Sequence, residues 1–394
     1  MLQTLDPRKL SGWGIYEIAC LQDPYPVWDQ LRTEQPVLDA GDGVFLVTSW
    51  ELVDRAARDP TLLAGRGVAE SMDTQATSTI DVASLWLMAL DGSRHVRARG
   101  LVRRPFSARR IEALRPLVEE QVNKRLAPFL EECRAAPTDF VRRVALALPS
   151  EITRSLFQID EQVWAREVHA RFQPQEGPSS STTIQELTRF FDTAEVPTGL
   201  FHDLTEPDED GNRLTREEVL ANAVLLTMAA IDTTTGLIAN ALLCLLQNPD
   251  VLAQAEADPS LAAAVVEETL RYEPPALSFS RYAPHDFVLG EVAIPAGSHL
   301  LLCVGAANRD PGRYRDPGRF RLDRDQSGLL TFGGGRHFCL GASLARMEAR
   351  VVLEALLGHG LSFQLEKAVV WRNDNPTVRV PASLLVSLRE EAKA

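Results

Sequence analysis

The sequence FGGGRHFCLG occupies residues 332–341 and is followed at once by an amphipathic pattern from residue 342 to about residue 357. Glycines at 333, 334 and 335 allow a tight turn, and Gly341, which has no Cβ, allows a flat ligand to lie close to the chain. A helix N-terminus and the free N–H groups of a turn favour a thiolate over a thiol. Phe332 is placed to shield the sulfur from water. The spacing F-x-x-G-x-x-x-C-x-G therefore predicts a reactive, metal-ligating thiolate at Cys339; a buried structural cysteine is the alternative.

A thiolate in this setting suits the axial position of a haem iron, where it favours O–O cleavage. The ten-residue pattern and several motifs that follow in the same order resemble the cytochrome P450 family, the haem-thiolate monooxygenases, and in particular its soluble bacterial members. The resemblance runs from about residue 23 to residue 388.

The resemblance implies a mainly α fold with small β-sheets. In this triangular prism, haem b lies between a long central helix and the helix that follows the cysteine ligand. Residues 1–22 are then an N-terminal arm, and residues 23–394 form a single catalytic domain.

Composition and charge are those of a globular protein. Hydrophobic residues make up 45% of the 394 positions and charged residues 24%, which permits a sizeable core. A net charge of −13 argues against general nucleic-acid binding. The five cysteines form no C-x-x-C pair, so no disulfide framework, zinc site or c-type haem attachment is indicated.

Two features bear on location. The first ten residues lack the basic and apolar regions of a signal peptide, which predicts a cytoplasmic protein. Residues 219–246 are long and apolar, but Asp232 falls in mid-span and would be costly in lipid. This segment is predicted to be a buried core helix, with no association with a membrane.

A long helix is predicted over residues 215–247, where Thr215 and Glu218 have the spacing of a capping box. Its central AAIDTT, residues 229–234, matches the A-G-x-D/E-T-T of the family. The resemblance implies that Ala229 lies against the haem and the substrate pocket, that Thr233 donates a hydrogen bond to dioxygen, and that Asp232 relays protons. Ala230 stands where the family has glycine, which bears on helix distortion and on the room for oxygen. A structural polar spot in the helix is the alternative.

Several basic residues are candidates for the haem propionates. His95 and Arg99 stand four apart, so they share one helix face. The family's H-x-x-x-R pair at this place binds the propionates, as do residues matching Arg281 and His337. Arg336 is either a further donor or part of a basic docking face with Arg346 and Arg350.

Residues 94–110 hold seven arginines and no acidic residue. Such a patch could dock an acidic electron-transfer protein; a solvated basic helix face is the alternative. The resemblance leaves no stretch for a flavin or ferredoxin domain, so ferredoxin and ferredoxin reductase are the expected electron donors.

A structural motif follows at residues 268–275, where Glu268 and Arg271 form the family's E-x-x-R ahead of Tyr272-Glu-Pro-Pro275. Arg319 is predicted to complete a charge triad with them. These residues are assigned to folding and haem retention.

Candidates for the substrate pocket come from three segments: Trp86, Leu87 and Met88; Leu277 and Phe279 on a predicted strand over residues 276–280; and Thr377 in a turn of the closing strands. Core packing is the alternative for the first five. Residues 174–183 are predicted to be loop. The segment 164–214 is short for the two lid helices of the family, which predicts an abbreviated or partly disordered lid; a remodelled loop is the alternative.

The leading functional hypothesis is a monooxygenase that uses dioxygen, two electrons and two protons to hydroxylate or otherwise oxidise a small organic molecule, a bacterial natural-product intermediate. Oxidative coupling without oxygen insertion is the alternative. A non-catalytic haem module, a gas sensor or scaffold, is the third hypothesis, and the Asp232–Thr233 pair argues against it.

Overall fold

A computed structural model describes residues 12, 17–18, 21–65, 82–167, 180–193, 199–359, 363–372 and 377–388, without the side chains of 166–167 and 180–183. Helices dominate these residues, as predicted. The α-helices are α1 (Tyr25–Glu34), α2 (Trp50–Arg58), α3 (Gly92–Val102), α4 (Ala108–Glu112), α5 (Arg115–Ala135), α6 (Ala147–Phe157), α7 (Glu161–Glu167), α8 (Ser180–Thr193), α9 (Gly199–Thr205), α10 (Arg216–Gln247), α11 (Pro249–Ala257), α12 (Ala262–Tyr272), α13 (Val304–Ala307) and α14 (Ala342–Gly358).

The described strands form four small sheets. A four-stranded sheet has the order β1-β2-β7-β4, a three-stranded sheet the order β3-β11-β8, and two pairs are β5-β6 and β9-β10. Only the β2–β7 pair is parallel among these pairings. The strands are β1 (Val37–Asp39), β2 (Val44–Val47), β3 (Thr138–Asp139), β4 (Phe279–Tyr282), β5 (Phe287–Leu289), β6 (Val292–Ile294), β7 (His299–Leu302), β8 (Phe363–Leu365), β9 (Val370–Trp371), β10 (Pro381–Ser383) and β11 (Leu385–Leu388).

The central helix is α10, which is 32 residues long. Its start is fixed by the predicted capping box: the Thr215 side chain accepts a hydrogen bond from the Glu218 backbone N–H, and the Glu218 side chain accepts one from the Thr215 N–H. The helix is apolar enough to cross a membrane, but 72% of its most apolar 18-residue window is buried within the fold. A helix that is apolar on all sides belongs in a core, so the prediction of a core helix is confirmed.

Two hydrophobic clusters meet along α10. Its C-terminal half, with Leu237 and Leu242, packs among residues of α5, α6, α12 and α14. Its N-terminal half, with Val224 and Ile231, packs among residues of α3, α8 and α9. The helix thereby joins the cysteine-bearing side of the molecule, through α14, to the side that holds the predicted lid.

The E-x-x-R motif lies on α12 as a buried ion pair. Both side chains are 0% exposed, and Arg271 donates two hydrogen bonds to the Glu268 carboxylate, at 2.7 and 2.8 Å. The prediction that Arg319 completes the triad was wrong. The third member of the charge cluster is Arg324, whose Nε lies 3.1 Å from Glu268 Oε1. Arg319 contributes only its backbone carbonyl, which accepts hydrogen bonds from Arg271 and Arg324. The E-x-x-R spacing specifies a pair on one helix turn but cannot show which arginine of a distant loop returns to it.

A second buried network fastens both ends of the described chain to the core. Glu273 accepts hydrogen bonds from Tyr25 at 3.0 Å and from Arg379 at 2.6 Å. Asn240 of α10 donates to the backbone carbonyls of Glu273 and Arg379. The N-terminal helix and the C-terminal hairpin therefore meet at the Glu273 carboxylate, and the central helix bonds to the backbone carbonyl of the same residue.

Two predictions concern segments only partly described. Most of the predicted arm, residues 1–22, lies outside the described residues, although Ile18 is 1% exposed and packs in the cluster of Trp28. Of the predicted lid, α7, α8 and α9 are described, whereas residues 168–179 and 194–198 lie outside the described residues. The loop predicted over residues 174–183 is wrong at its end, because α8 already begins at Ser180.

Candidate functional site

Cys339 lies in the turn before α14, and the glycines ahead of it shape that turn. Gly333 and Gly335 have φ of 71° and 63°, a region that side chains disfavour. A Cβ on Gly335 would also meet the Cα of Arg58 at 3.2 Å, so α2 packs directly on the turn. The Cys339 N–H donates to the Phe332 carbonyl at 2.8 Å, which closes the turn and sets the cysteine just ahead of the helix.

Burial of the Cys339 thiol holds its pKa above the ordinary value, and neighbouring donors and cations oppose this effect. The side chain is exposed, although protein encloses the thiol enough that burial raises its pKa. Backbone N–H groups of Gly341 and Ala342 and the cations of Arg99 and Arg346 lower the pKa of Cys339 against that effect. Burial raises the pKa of the three other described thiols, which are buried: Cys133, Cys244 and Cys303.

His95, His337 and Asp91 form a cluster beside the cysteine turn. The two imidazole rings lie 4.2 Å apart, centroid to centroid, and His337 Nε2 lies 3.4 Å from Asp91 Oδ1. Burial raises the pKa of Asp91, but hydrogen bonds from His337 and from the Gly65 and Ala64 N–H groups outweigh it, and the pKa lies below its ordinary value.

His95 itself is a buried base. It is 1% exposed, and neither ring nitrogen has a hydrogen-bond partner among the described residues. Burial lowers its pKa to about 4, and the nearby His337 and Arg99 add to this shift. Such a ring lacks the acceptor that would satisfy it, and an anionic group would both bond to it and favour its protonation.

Arg99 and Arg281 present further cationic groups. Arg99 donates to the Phe338 carbonyl at 2.7 Å, and burial lowers its pKa while the Cys339 charge opposes this. Arg281 is 5% exposed and donates to the carbonyls of Ser280 and Ala57. Burial lowers the Arg281 pKa to about 10, and the described residues place no carboxylate within ion-pair distance of it. Burying a cation is costly unless an anion pairs with it, so this guanidinium is suited to bind an anionic ligand.

The α10 side of the site contains the acid and the alcohol. Thr233 Oγ1 donates to the Ala229 carbonyl at 2.7 Å, one turn back. Asp232 accepts a hydrogen bond from Arg372 Nη1 at 3.0 Å, in an ion pair whose side chains are about one-fifth exposed. The helix runs without interruption through Ala230, so the alanine is accommodated in regular α-helix.

The predicted pocket residues fall into two groups. Trp86 and Leu87 are 3% and 6% exposed within the hydrophobic cluster of α3 and α8, and Leu277 is 1% exposed beside Trp28. Met88, by contrast, is 45% exposed. Phe279 of β4 lies within 4 Å of a Cβ placed on Gly333, and the Thr377 carbonyl accepts from the Leu277 N–H at 3.0 Å. Met88, Phe279 and Thr377 thus keep exposed surface, although Phe279 also packs against the cluster of Val47 and Leu302, and the other three residues are buried.

Sequence reasoning missed two partners at the site. Asp91 was overlooked, although an acid directly before the glycine that opens the H-x-x-x-R helix is a visible signal. Arg372 was also overlooked as the partner of Asp232, and 140 residues separate the two. No local pattern announces a contact of that range.

The comparisons with known proteins show the family and the fold of the chain. The family model described as Cytochrome P450 matches residues 181–384. The chain is 35% identical to cytochrome P450 monooxygenase PikC of Streptomyces venezuelae, over 94% of this chain and 92% of that protein. It is 33% identical to 6-deoxyerythronolide B hydroxylase of Saccharopolyspora erythraea, over 89% and 92% of the two chains. The solved structure of cytochrome P450 CYP109Q5 from Chondromyces apiculatus has a TM-score of 0.83 and 31% identity, and covers 94% of this chain and 96% of that one.

Fold and site together are those of a haem-thiolate oxidoreductase. The chain belongs to the cytochrome P450 family, and it is a monooxygenase. The predicted family, fold and enzyme class are confirmed. The family implies a haem with a cysteine thiolate ligand, a small-molecule substrate and separate redox partners.

The described residues fit a haem. A Cβ on Gly341 would meet no heavy atom within 4 Å, so the backbone next to Cys339 is open to a flat ligand. The unsatisfied ring nitrogens of His95 and the buried guanidinium of Arg281 are the groups that two propionates would satisfy. The exposed Cys339 sulfur, approached by N–H donors, is suited to an iron ligand.

Proposed function

We propose that Cys339 is the axial ligand of haem b and that the enzyme hydroxylates, or otherwise oxidises, a bacterial natural-product intermediate. The observation that carries this proposal is the Cys339 environment: two backbone N–H donors and two arginines oppose the rise in the thiol pKa that burial causes, and the side chain is exposed to a ligand. When bound, the haem supplies the activation of dioxygen. The protein supplies the ligand, the orientation and the proton path.

His95, Arg99, Arg281 and His337 hold the two propionates in this proposal. Among the described residues, only His337 of these four has a carboxylate within ion-pair distance, that of Asp91. We assign Phe332 to shielding the sulfur, and its backbone carbonyl accepts the Cys339 N–H. Arg336 is exposed and is assigned to the surface.

Thr233 and Asp232 are assigned to proton supply. The Thr233 hydroxyl holds its proton toward the Ala229 carbonyl, from which it can rotate to donate to a ligand above the haem. Asp232 is oriented by Arg372 and is one-fifth exposed, which gives it access to solvent protons. Ala229, one turn before Thr233, is exposed and is assigned to the wall between haem and substrate.

On the substrate side, we assign contacts to Met88, Phe279 and Thr377, because Met88 is exposed and the other two are only partly buried. Trp86, Leu87 and Leu277 support that wall from the core. The relative named 6-deoxyerythronolide B hydroxylase supports a hydroxylation and a natural-product substrate.

Ferredoxin and ferredoxin reductase, in the cytoplasm, are the proposed electron donors. Four of the seven arginines in residues 94–110 bind within the fold: Arg97 to Glu218, Arg99 to Phe338, Arg104 to Glu206 and Pro207, and Arg110 to Asp203. Arg94, Arg103 and Arg109 are exposed and make no ion pair within the part of the chain that is described. We define these three, with Arg336, as the basic surface for docking.

The test is a substrate-binding difference spectrum of the haem-loaded enzyme against cyclic dipeptides, macrolides, terpenoids and aromatic amino-acid derivatives. A shift from low to high spin with one class supports the proposal and identifies the substrate class. Turnover under labelled dioxygen then separates the two reactions, because hydroxylation places a labelled oxygen atom in the product and oxidative coupling does not. Absence of a shift, with free and with carrier-bound ligands, would overturn the assigned pocket.

A further inference from the structure

Arg346 and Glu267 form an ion pair beside Phe332 of the cysteine turn. Arg346 of α14 donates from Nε to Glu267 Oε1 at 2.5 Å and from Nη2 to Oε2 at 3.0 Å. Its guanidinium carbon also lies 4.3 Å from the centre of the Phe332 ring. The bidentate contact and the stacking together fix the position of the cation.

The pair is connected to the proposed iron ligand through Phe332. The carbonyl of Phe332, on whose ring Arg346 stacks, accepts the Cys339 N–H at 2.8 Å. Arg346 is also one of the cations that favour the Cys339 anion. Glu267 lies on α12 and reaches this region through Arg346.

These contacts argue against Arg346 as part of a basic docking face. A guanidinium that is occupied by a carboxylate on one side and an aromatic ring on the other adds no net charge to a docking surface. The same holds for Arg350, whose Nε lies 2.6 Å from Glu354. Of the two pairs, the contacts of Arg346 alone lead to the cysteine turn.

We propose that Arg346 and Glu267 each act on the reduction potential of the thiolate-ligated haem, in opposite directions that balance while the ion pair is intact. Reduction adds one electron from a low-potential donor, here the ferredoxin class, and leaves the haem–thiolate unit more negative by one charge without forming or breaking a bond. A fixed cation favours that change, and a neighbouring carboxylate opposes it. The inference rests on the proposed function only in taking Cys339 as the ligand.

The test is the midpoint potential of the haem-loaded enzyme, measured by dithionite titration with mediators, for Arg346→Gln, Glu267→Gln and the double variant. Arg346→Gln exposes the carboxylate charge and is expected to lower the equilibrium constant for reduction by about threefold, since the pair is partly exposed. Glu267→Gln is expected to raise it, and the double variant to return close to the wild-type value. Higher salt should diminish both shifts.

Arg350→Gln is the matched control, because it removes an arginine from an ion pair on the same helix and is expected to leave the potential unchanged. Single variants that shift the potential in the same direction, or not at all, would overturn the proposal. If Arg346→Gln does not fold, Glu267→Gln still decides by the sign of its shift. The carbon monoxide spectrum of each reduced variant separates this result from a failure of the proposed function: an intact thiolate band with unshifted potentials refutes only the ion-pair inference, whereas a wild-type enzyme without that band refutes both.

Discussion

His95 is the buried group whose charge depends most directly on what binds at the site. In the haem-free protein its pKa of about 4 lies below the ordinary 6.5, so the unfolded chain takes up a proton on His95 before the folded chain does. This contribution to stability is fully present above pH 6.5 and is lost as the pH falls from about 6.5 to about 4. The charged groups that face the ring are His337, Arg99, Asp91 and Arg336.

We therefore expect urea unfolding of the haem-free protein to show stability falling across that pH range, and His95→Gln to show a flatter profile. His359→Gln, at an exposed histidine, is the control and should follow the wild type. Equal slopes for wild type and His95→Gln would show that His95 does not titrate as its burial requires.

Individual residues were predictable from sequence where a short spacing carried the information. The i,i+4 pair His95 and Arg99 and the i,i+3 pair Glu268 and Arg271 lie on shared helix faces, as their spacing requires. Partners that come from a distant segment were not predictable. Arg324 at Glu268 and Arg372 at Asp232 are set by how loops return to the core, which no local periodicity encodes.

Among the elements, the start of α10 rests on the Thr215 capping box. Thr215→Ala removes the acceptor for the Glu218 N–H and is expected to cost about 1 kcal/mol in the free energy of unfolding. Thr215→Ser keeps the hydroxyl and should cost a few tenths at most. Chemical denaturation of the three proteins checks this, and equal losses for the Ala and Ser variants would contradict the capping role.

The central helix is also tied to the C-terminal hairpin by Asp232 and Arg372. A double-mutant cycle with Asp232→Asn and Arg372→Gln is expected to give a coupling of about 1 kcal/mol in the free energy of unfolding, because both side chains are mostly buried. The cycle isolates this pair from the other contacts of each residue. Additive effects of the two substitutions would show that the ion pair contributes nothing to the joining of α10 and the hairpin.

Elements with a strong local signal were predicted well. The capping box and the helix after the cysteine lie where the spacing and the periodicity placed them. The segment that begins α8 was wrong, because Ser180 to Thr183 read as loop residues by composition. The apolar residues that follow, such as Leu187 and Phe191, are fully buried, and this packing extends the helix over poor helix formers.

The whole molecule has a net charge of −13, and the proposed docking surface consists of four exposed arginines, Arg94, Arg103, Arg109 and Arg336. If this surface docks an acidic ferredoxin, the double variant Arg103→Glu, Arg109→Glu should raise the KM for ferredoxin by about tenfold and weaken its salt dependence. Lys124→Glu makes the same kind of change on α5 and should leave the KM near the wild-type value. Steady-state reduction kinetics at two ionic strengths measure this, and a similar KM in all three proteins would assign docking to another surface.

Fold class was predictable for the molecule as a whole because motifs from residue 94 to residue 341 occur in a fixed order, and each motif implies a place in one architecture. Substrate identity was not. The residues that line a pocket are drawn from separated segments, and the structure moves Trp86, Leu87 and Leu277 into packed clusters that sequence could not tell from a pocket wall.

The most direct test of the account is the carbon monoxide difference spectrum of the reduced, haem-loaded enzyme beside Cys339→Ser and Cys133→Ala. We expect the red-shifted Soret band of a thiolate-ligated haem in the wild type and in Cys133→Ala, since Cys133 is buried away from the site. Cys339→Ser should lose that band while the propionate contacts still retain haem. A wild-type enzyme without the band, or a Cys339→Ser variant that keeps it, would contradict the assignment of Cys339 as the iron ligand.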